Sequence, residues 1–547
     1  MSGEQKGMVD EFLEEIDPTV FLFGALLTVG VIVAFFVDQQ FVSNGIAAIQ
    51  SEILAYLNWA LLVIVFLIVV FLLFLIVGPW GKIKMGDEDP EYSFLSFFAM
   101  LYSAGFAAGV VFWGPTEALF YYDSPSPLFG VESGTSEAIP IAIQQTLFHW
   151  ALPQLAVFTI MGLAIAYFAY NYENVPLRVS SALTPIIGAE NLDGPFAKVI
   201  DILAVFATIG GVATSLGFIG SQFIAGLDYQ WGIDLGNVGI LLVVTTMTLL
   251  FTISMVLGVN RGIRRLSNFN MILFVVLMLA TFILGPTLFL LLLGSQAVGG
   301  MIADFTSMSL YTGAGTEGGT GWVNAWTVFY WAWALSWSPF AGLFIARISK
   351  GRTVREVAFT GIVATSAATI PWFTFVGGTA LQYHHTGVAD FSPVIANFTP
   401  EISGFILFGA FPFGTVFMIA FMVLVTTFFI TSADSSTLAV SMMTTGGKAR
   451  PSTINRIFWG VVLGMTAAIL MIIGGEGGTS ALQDAVIITG APFAFVCFLA
   501  MLSLIKDFGS NYGQVLLQDE TVLVGSSTKT EAESPAGPGG PVESDDD

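Results

Sequence analysis

The chain has 547 residues, of which 55% are hydrophobic and 10% charged, and its net charge is −22. A soluble protein carries roughly a quarter of its residues as charges, so most of this surface faces something other than water. An ordinary soluble enzyme or nucleic-acid-binding module is thereby excluded. The single cysteine, Cys497, excludes an internal disulfide or a thiolate metal centre.

Residues 1–18 are an acidic segment. The apolar runs 19–37 and 53–77 are each long enough to cross a hydrocarbon core of about 30 Å, which takes about 20 helical residues. Further runs lie near 93–120, 139–170, 197–224, 237–257, 271–293, 322–348, 357–381, 413–443, 457–473 and 481–505. None shows the alternation of a membrane barrel, so the expectation is an all-α polytopic membrane protein of about twelve transmembrane helices. The first run is expected to be retained, because the segment before it is acidic and no small-residue cleavage site follows Val37. Residues 507–547 are acidic, rich in Gly, Pro and Ser, and read as a disordered tail.

The 17 Lys and Arg residues test the count. Lys6 precedes the first run; Lys82 and Lys84 follow the second; Arg178 and Lys198 follow the fourth; Arg261, Arg264 and Arg265 follow the sixth. Arg347, Lys350, Arg352 and Arg355 come after the eighth, Lys448, Arg450 and Arg456 after the tenth, and Lys506 and Lys529 after the twelfth. All fall on one side, which is expected to be cytoplasmic, with both termini inside a plasma membrane.

A transporter needs polar groups at mid-membrane, and interrupted helices supply them. Small residues in SAGFAAG, 103–109, suit unwinding or close helix packing. In SWSPFAG, 336–342, Pro339 frees the carbonyl four residues back. TSADSS, 431–436, puts Asp434 inside a span, where a carboxylate costs about 2.5–3.5 kcal/mol. It serves either transport or a hydrogen-bonded tie between helices.

These motifs resemble the betaine/choline/carnitine transporter family over residues 92–506. The likeness rests on FAMLYSAGFAAGVVFWGPTEAL at 98–119, FHW at 148–150, FATIGGVATSLG at 206–217 and RLSNFNM at 265–271. FYWAWALSWSPFAGLFIARISKGRTVREV at 329–357 and TSADSS complete it. The resemblance implies two N-terminal helices (19–91) and two inverted five-helix repeats, 92–294 and 295–506, in a LeuT-like fold. It also implies a homotrimer and a sodium-coupled symporter of a compatible solute, glycine betaine first, working by alternating access.

By matching position, the resemblance implies a sodium site from the hydroxyls of Thr431 and Ser432 and the carbonyls of Ser103, Phe106 and Phe428. Thr208 and Phe340 match a second cation site, but Val212 stands where a threonine is expected. For the substrate it implies an aromatic cage, built here from Trp150, Phe158, Trp333 and Trp337, with Phe112, Gly105 and Gly109 beside it. The family's span-four pattern W-x-x-x-x-W-x-x-Y reads Trp150, Leu155, Phe158 here, and Ala334 follows Trp333 where a second Trp is usual. A sulfonate, a sulfonium or an amino acid therefore competes with glycine betaine, and a proton-coupled or ion-independent exchanger competes with sodium symport. An ion channel is the rival class. No metalloprotease, nucleophile-elbow or phosphate-loop motif points to an enzyme, and His149 is expected to be a packed, hydrogen-bonded residue.

Overall fold

The computed structural model describes residues 8–512 apart from Phe106, 257–259, Ala449 and 475–478. Ser103, Ala104, Gly105, Ala107 and Ala108 are described by backbone only, and Phe106, expected to give a carbonyl to sodium, lies outside the described residues. The described chain is helical, and its only β feature is an isolated antiparallel bridge between Lys84 and Thr353.

In chain order the principal helices are α1 (Met8–Glu15), α2 (Pro18–Val37), α3 (Gln39–Val77), α4 (Phe94–Gly105), α5 (Ala107–Trp113) and α6 (Glu117–Asp123). Next come α7 (Ala138–Trp150), α8 (Leu152–Asn171), α9 (Pro195–Trp231), α10 (Gly236–Val256), α11 (Asn260–Leu284) and α12 (Thr287–Ala303). They are followed by α13 (Gly319–Ile348) and α14 (Val354–Thr386), then α15 (Gly414–Met443), α16 (Thr453–Gly474) and α17 (Thr479–Tyr512). Among the described residues nine helices are long and apolar enough to cross a membrane, ten if the pair Asn268–Leu284 and Thr287–Ala303, bent by 109°, counts as one span.

Burial sorts these helices into an inner and an outer set. The most apolar windows of Ala138–Asn171 and of α13 are 94% buried, against 28% for α2 and 35% for α15. The two buried spans are also the less apolar of the four, as helices that carry interior polar groups are. The centre is α13, packed on α8, α9 and α17, with α3 against α8 and α17. Glycines permit the closest approaches: a Cβ on Gly162 or Gly342 would run into the opposite helix of the α8–α13 pair, at Ile345 and Met161 respectively.

Of the two expected helix interruptions, the one in SAGFAAG centres on Phe106, outside the described residues, and the one at Pro339 is not formed. Residues 103–105 close α4 and 107–109 open α5 as helix, and the described turn of this span comes at 114–116. Pro339 does not break its helix: Phe329–Ile348 is continuous. The carbonyl that Pro339 frees, on Leu335, accepts from Ser338 Oγ at 2.7 Å. The hydroxyl thus replaces the missing N–H, as intramembrane serines can. Wide π turns lie instead at Asn324–Val328, Phe359–Ala364 and Phe373–Gly377. A break not expected from sequence falls at Ala151 (φ −100°, ψ −125°), between α7 and α8 and just ahead of Pro153.

At one end of the bundle the loop after α13 grips the start of α4. Gly351 N donates to Met85 O at 2.7 Å and Val354 N to Ile83 O at 2.8 Å. The Arg352 guanidinium lies 4.2 Å from the Phe97 ring centroid and donates to Tyr92 O at 2.5 Å. The acidic N-terminal segment closes on the helices beside it. Asp17 caps α2 and pairs with Lys198 at 2.5 Å, and Glu15 accepts from Ser452 N at 2.9 Å, ahead of α16.

Candidate functional site

The break at Ala151 places Trp150 at the end of one helix, with Gln154 and Phe158 on the next. A spacing of four keeps Gln154 and Phe158 on one face of α8. That face meets Trp333 and Trp337 of α13, also four apart, together with Ser215 of α9 and Gly109 of α5. These seven residues line one buried cavity. The rings are drawn together: Trp150 and Trp333 stand edge to face with centroids 5.8 Å apart, and Phe373 stacks on Trp150 at 5.0 Å. The remaining volume is about 10 Å³, room for about one water. A small organic solute enters only when α5, α8 and α13 spread.

Gly109 is the floor of this cavity. A Cβ there would lie 2.7 Å from Trp150 Cη2 and 2.8 Å from Trp333 Cη2. The indole N–H groups and the serine hydroxyl of the wall are already engaged. Trp333 Nε1 donates to Ser215 Oγ at 3.2 Å, Ser215 Oγ to Gly211 O at 3.1 Å, and Trp337 Nε1 to Gly211 O at 3.0 Å. With their N–H groups held at the edges, the indole rings offer π faces, which attract cations.

Of the expected substrate residues, Trp150, Phe158, Trp333, Trp337 and Gly109 come together. Phe112 stands one ring back: it stacks on Phe218 at 4.7 Å, and Phe218 meets Trp333 edge to face at 5.4 Å. Gly105 ends α4, and Leu155 is not among the described residues that line the cavity. Gln154 and Ser215 were not anticipated. Gln154 carried a readable signal, an amide inside an apolar run one helical turn beyond Trp150. Ser215 carried none, because serines are common in such helices.

Behind Trp150 lies a polar cluster that the sequence did not reveal. Glu117, fully buried, accepts from Tyr121 Oη at 2.8 Å, from Tyr330 Oη at 2.6 Å and from the indole Nε1 of Trp150. His149 Nδ1 lies 3.1 Å from Glu117 Oε1 and 2.7 Å from Tyr121 Oη, while its Nε2 meets Gln145 at 3.2 Å and Thr327 at 3.1 Å. A buried carboxylate is tolerated only when its lone pairs are filled. Here they are filled by groups from α6, α7 and α13, which fix the plane of the Trp150 ring. The expectation of a packed, hydrogen-bonded His149 matches this geometry.

The expected cation ligands occupy α15, which packs against α5. Thr431 Oγ1 donates to Thr427 O or Phe428 O, each at 3.2 Å, and accepts from Asn270 Nδ2 at 3.3 Å. Phe428, Thr431 and Ser432 share one turn, so hydroxyl and carbonyl oxygens cluster there, the donor type hard cations prefer. Asp434 faces Arg456 of α16 at 3.5 Å, which fits a tie between helices. Thr208, fully buried, contacts Met443 Sδ at 3.8 Å.

The family model for betaine/carnitine/choline transporters matches residues 19–512. The glycine betaine transporter OpuD of Bacillus subtilis is 36% identical over 499 residues, which is 91% of this chain and 95% of that protein. Glycine betaine transporter 1 of Vibrio parahaemolyticus is 34% identical, with 89% and 93% covered. A glycine betaine/proline/choline/ectoine transporter of the same organism is 38% identical over 447 residues, 80% of this chain and 77% of that protein. With its apolar helices, its buried aromatic cavity and these matches over nearly the whole length, the chain belongs to the betaine/carnitine/choline family of membrane transporters.

Proposed function

We propose that this protein takes up a betaine-type compatible solute across the plasma membrane by alternating access, driven by sodium. The observation that carries the substrate class is the cavity of Trp150, Phe158, Trp333 and Trp337 around Gly109. Its π faces suit a methylated ammonium by cation–π attraction, worth about 2 kcal/mol when desolvated. The names of the relatives, all solutes carrying a cationic nitrogen, point the same way. The contracted cavity fits an occluding carrier better than a channel, which needs a continuous polar path.

Sodium is assigned to the α15 turn, with Thr431 and Ser432 giving hydroxyls and Phe428 a carbonyl, and with the carbonyls of Ser103 and Phe106 completing the set that the resemblance implies. Ion binding there would hold α5 against α15 and so favour the solute-binding cavity; the linkage is reciprocal. Twelve spans follow when the α4–α5 segment and α10 are added to the ten. The proposed arrangement keeps both termini cytoplasmic, places the inverted repeats at 92–294 and 295–506, and assembles three copies.

The test is uptake of radiolabelled glycine betaine by proteoliposomes, with and without an inward sodium gradient. Saturable uptake that collapses without sodium is the expected result. Saturable uptake indifferent to sodium but driven by a proton gradient or by internal solute would replace the coupling ion. Absence of saturable uptake of any methylated ammonium solute by folded protein would overturn the reading.

A further inference from the structure

The cavity wall keeps one polar side chain unengaged. Gln154 of α8 is 5% exposed, and its Oε1 is buried without a hydrogen-bond partner. Its Nε2 is the accessible end of the amide, and among the described residues it donates to nothing. The other side-chain donors of the wall are taken: Trp150 Nε1 by Glu117, Trp333 Nε1 by Ser215, the Ser215 hydroxyl by Gly211 O and Trp337 Nε1 by the same carbonyl. No lysine or arginine is among the described residues that line the cavity. A betaine-type solute brings a carboxylate as well as an ammonium, and a carboxylate taken out of water is costly unless it is hydrogen-bonded. The rings serve the ammonium, so the carboxylate needs a separate donor. The cavity holds about one water, which can occupy the Gln154 N–H until a solute displaces it.

We propose that Gln154 is a specificity-determining residue whose side-chain N–H donates to the carboxylate of the solute, so that the cavity selects methylated ammonium zwitterions over methylated cations that carry no anion. Gln154 lies one helical turn from Trp150 and one from Phe158, so the donor stands between two of the rings that take the ammonium. A solute whose two charges are joined by a short linker meets both at once. The amide is neutral and leaves the cation attraction of the rings intact, whereas a lysine or arginine at this place would repel the ammonium. Hydrogen bonds to a charged acceptor are about twice as strong as neutral ones, so the carboxylate gains more from this N–H than a water does. This inference rests on the betaine-type reading above and narrows it.

The test compares glycine betaine with tetramethylammonium, which keeps the methylated cation and has no carboxylate. Equilibrium Kd values are read in sodium buffer from the tryptophan fluorescence of purified wild type, Gln154→Leu and Gln154→Met, each checked for wild-type elution in size exclusion. In the variants the Kd for glycine betaine should rise about tenfold or more, the loss of one charge-assisted hydrogen bond, while that for tetramethylammonium stays within about twofold. Uptake of glycine betaine by proteoliposomes should show the same rise in KM. An unchanged Kd for glycine betaine in either folded variant overturns the proposal, because neither new side chain donates. An equal rise for both probes also overturns it, since the residue would then shape the cavity rather than bind the carboxylate. Wild type that binds tetramethylammonium but not glycine betaine leaves the aromatic cage standing and refutes this inference alone. Folded wild type that binds neither probe refutes the betaine-type reading, and this inference falls with it.

Discussion

At the scale of single residues, the site depends on what is missing from Gly109 as much as on the rings. Gly109→Ala puts a methyl where Trp150 and Trp333 already converge. Overpacking of this kind costs about 1–3 kcal/mol, and here it falls on the ring spacing. Uptake should show a KM raised by about tenfold or more, with the protein still eluting as wild type in size exclusion. Unchanged KM would remove Gly109 from the cavity floor. Glu401 carries a different residue-scale prediction. It lies between α14 and α15, beside Pro400, whose carbonyl accepts from Thr116 Oγ1 at 3.1 Å. Burial pushes its carboxyl up to about 7 from 4.5. The folded state therefore holds this proton more tightly than the unfolded chain. The resulting stabilisation is complete below about pH 4.5 and is lost as pH rises through about 7. The Tm difference between wild type and Glu401→Gln should accordingly change across that window and level off above it. A constant difference would show that Glu401 does not titrate there.

At the scale of elements, sequence rules located Pro339 but not its consequence, while Asp434 faces Arg456 in one of the two roles expected of it. Pro339 removes one backbone donor, yet Ser338 restores the bond to Leu335 O, so α13 runs on. The helix that actually stops is α7, at Ala151, and this stop swings Trp150 across to Glu117. α15 is the element on which coupling is argued. Its turn from Phe428 to Ser432 offers oxygens beside α5. The double replacement Thr431→Ala and Ser432→Ala removes both hydroxyls and leaves the carbonyls. Sodium activation of uptake should then weaken by an order of magnitude or more, while residual uptake at saturating sodium persists. Wild-type sodium dependence in the double variant would place the ion elsewhere.

At the scale of the whole molecule, the one-sided distribution of Lys and Arg is a statement about orientation. Cys497 is buried, with its Sγ 3.3 Å from Ser338 Oγ, so the native thiol is shielded from reagents and the wild type serves as background. A membrane-impermeant maleimide applied to intact cells should label Gly134→Cys, in the loop between α6 and α7, and leave Lys448→Cys, beyond α15, unlabelled until the cells are opened. The reverse pattern would invert the topology. The N-terminal acidic segment belongs to this scale too. Through Asp17–Lys198 and Glu15–Ser452 it joins α2, α9 and α16 at the end of the bundle that the charge rule places inside.

The sequence by itself determined the solvent, the secondary structure and the family. Lipid demands internally satisfied backbones, and runs of about 20 apolar residues admit little else than helices. The cage was partly legible, because Trp150, Trp333 and Trp337 are large, specific and set in recognisable strings. Tertiary structure decided the rest. Hydropathy separates the strongly apolar, peripheral α2 from the less apolar, central α13, but it could not show which helices α13 packs against. Nor could spacing along the chain bring Glu117, His149 and Tyr330 onto one carboxylate, or leave Gln154 as the unengaged amide beside three tryptophans. Those are contacts between helices far apart in sequence, fixed only when the bundle closes.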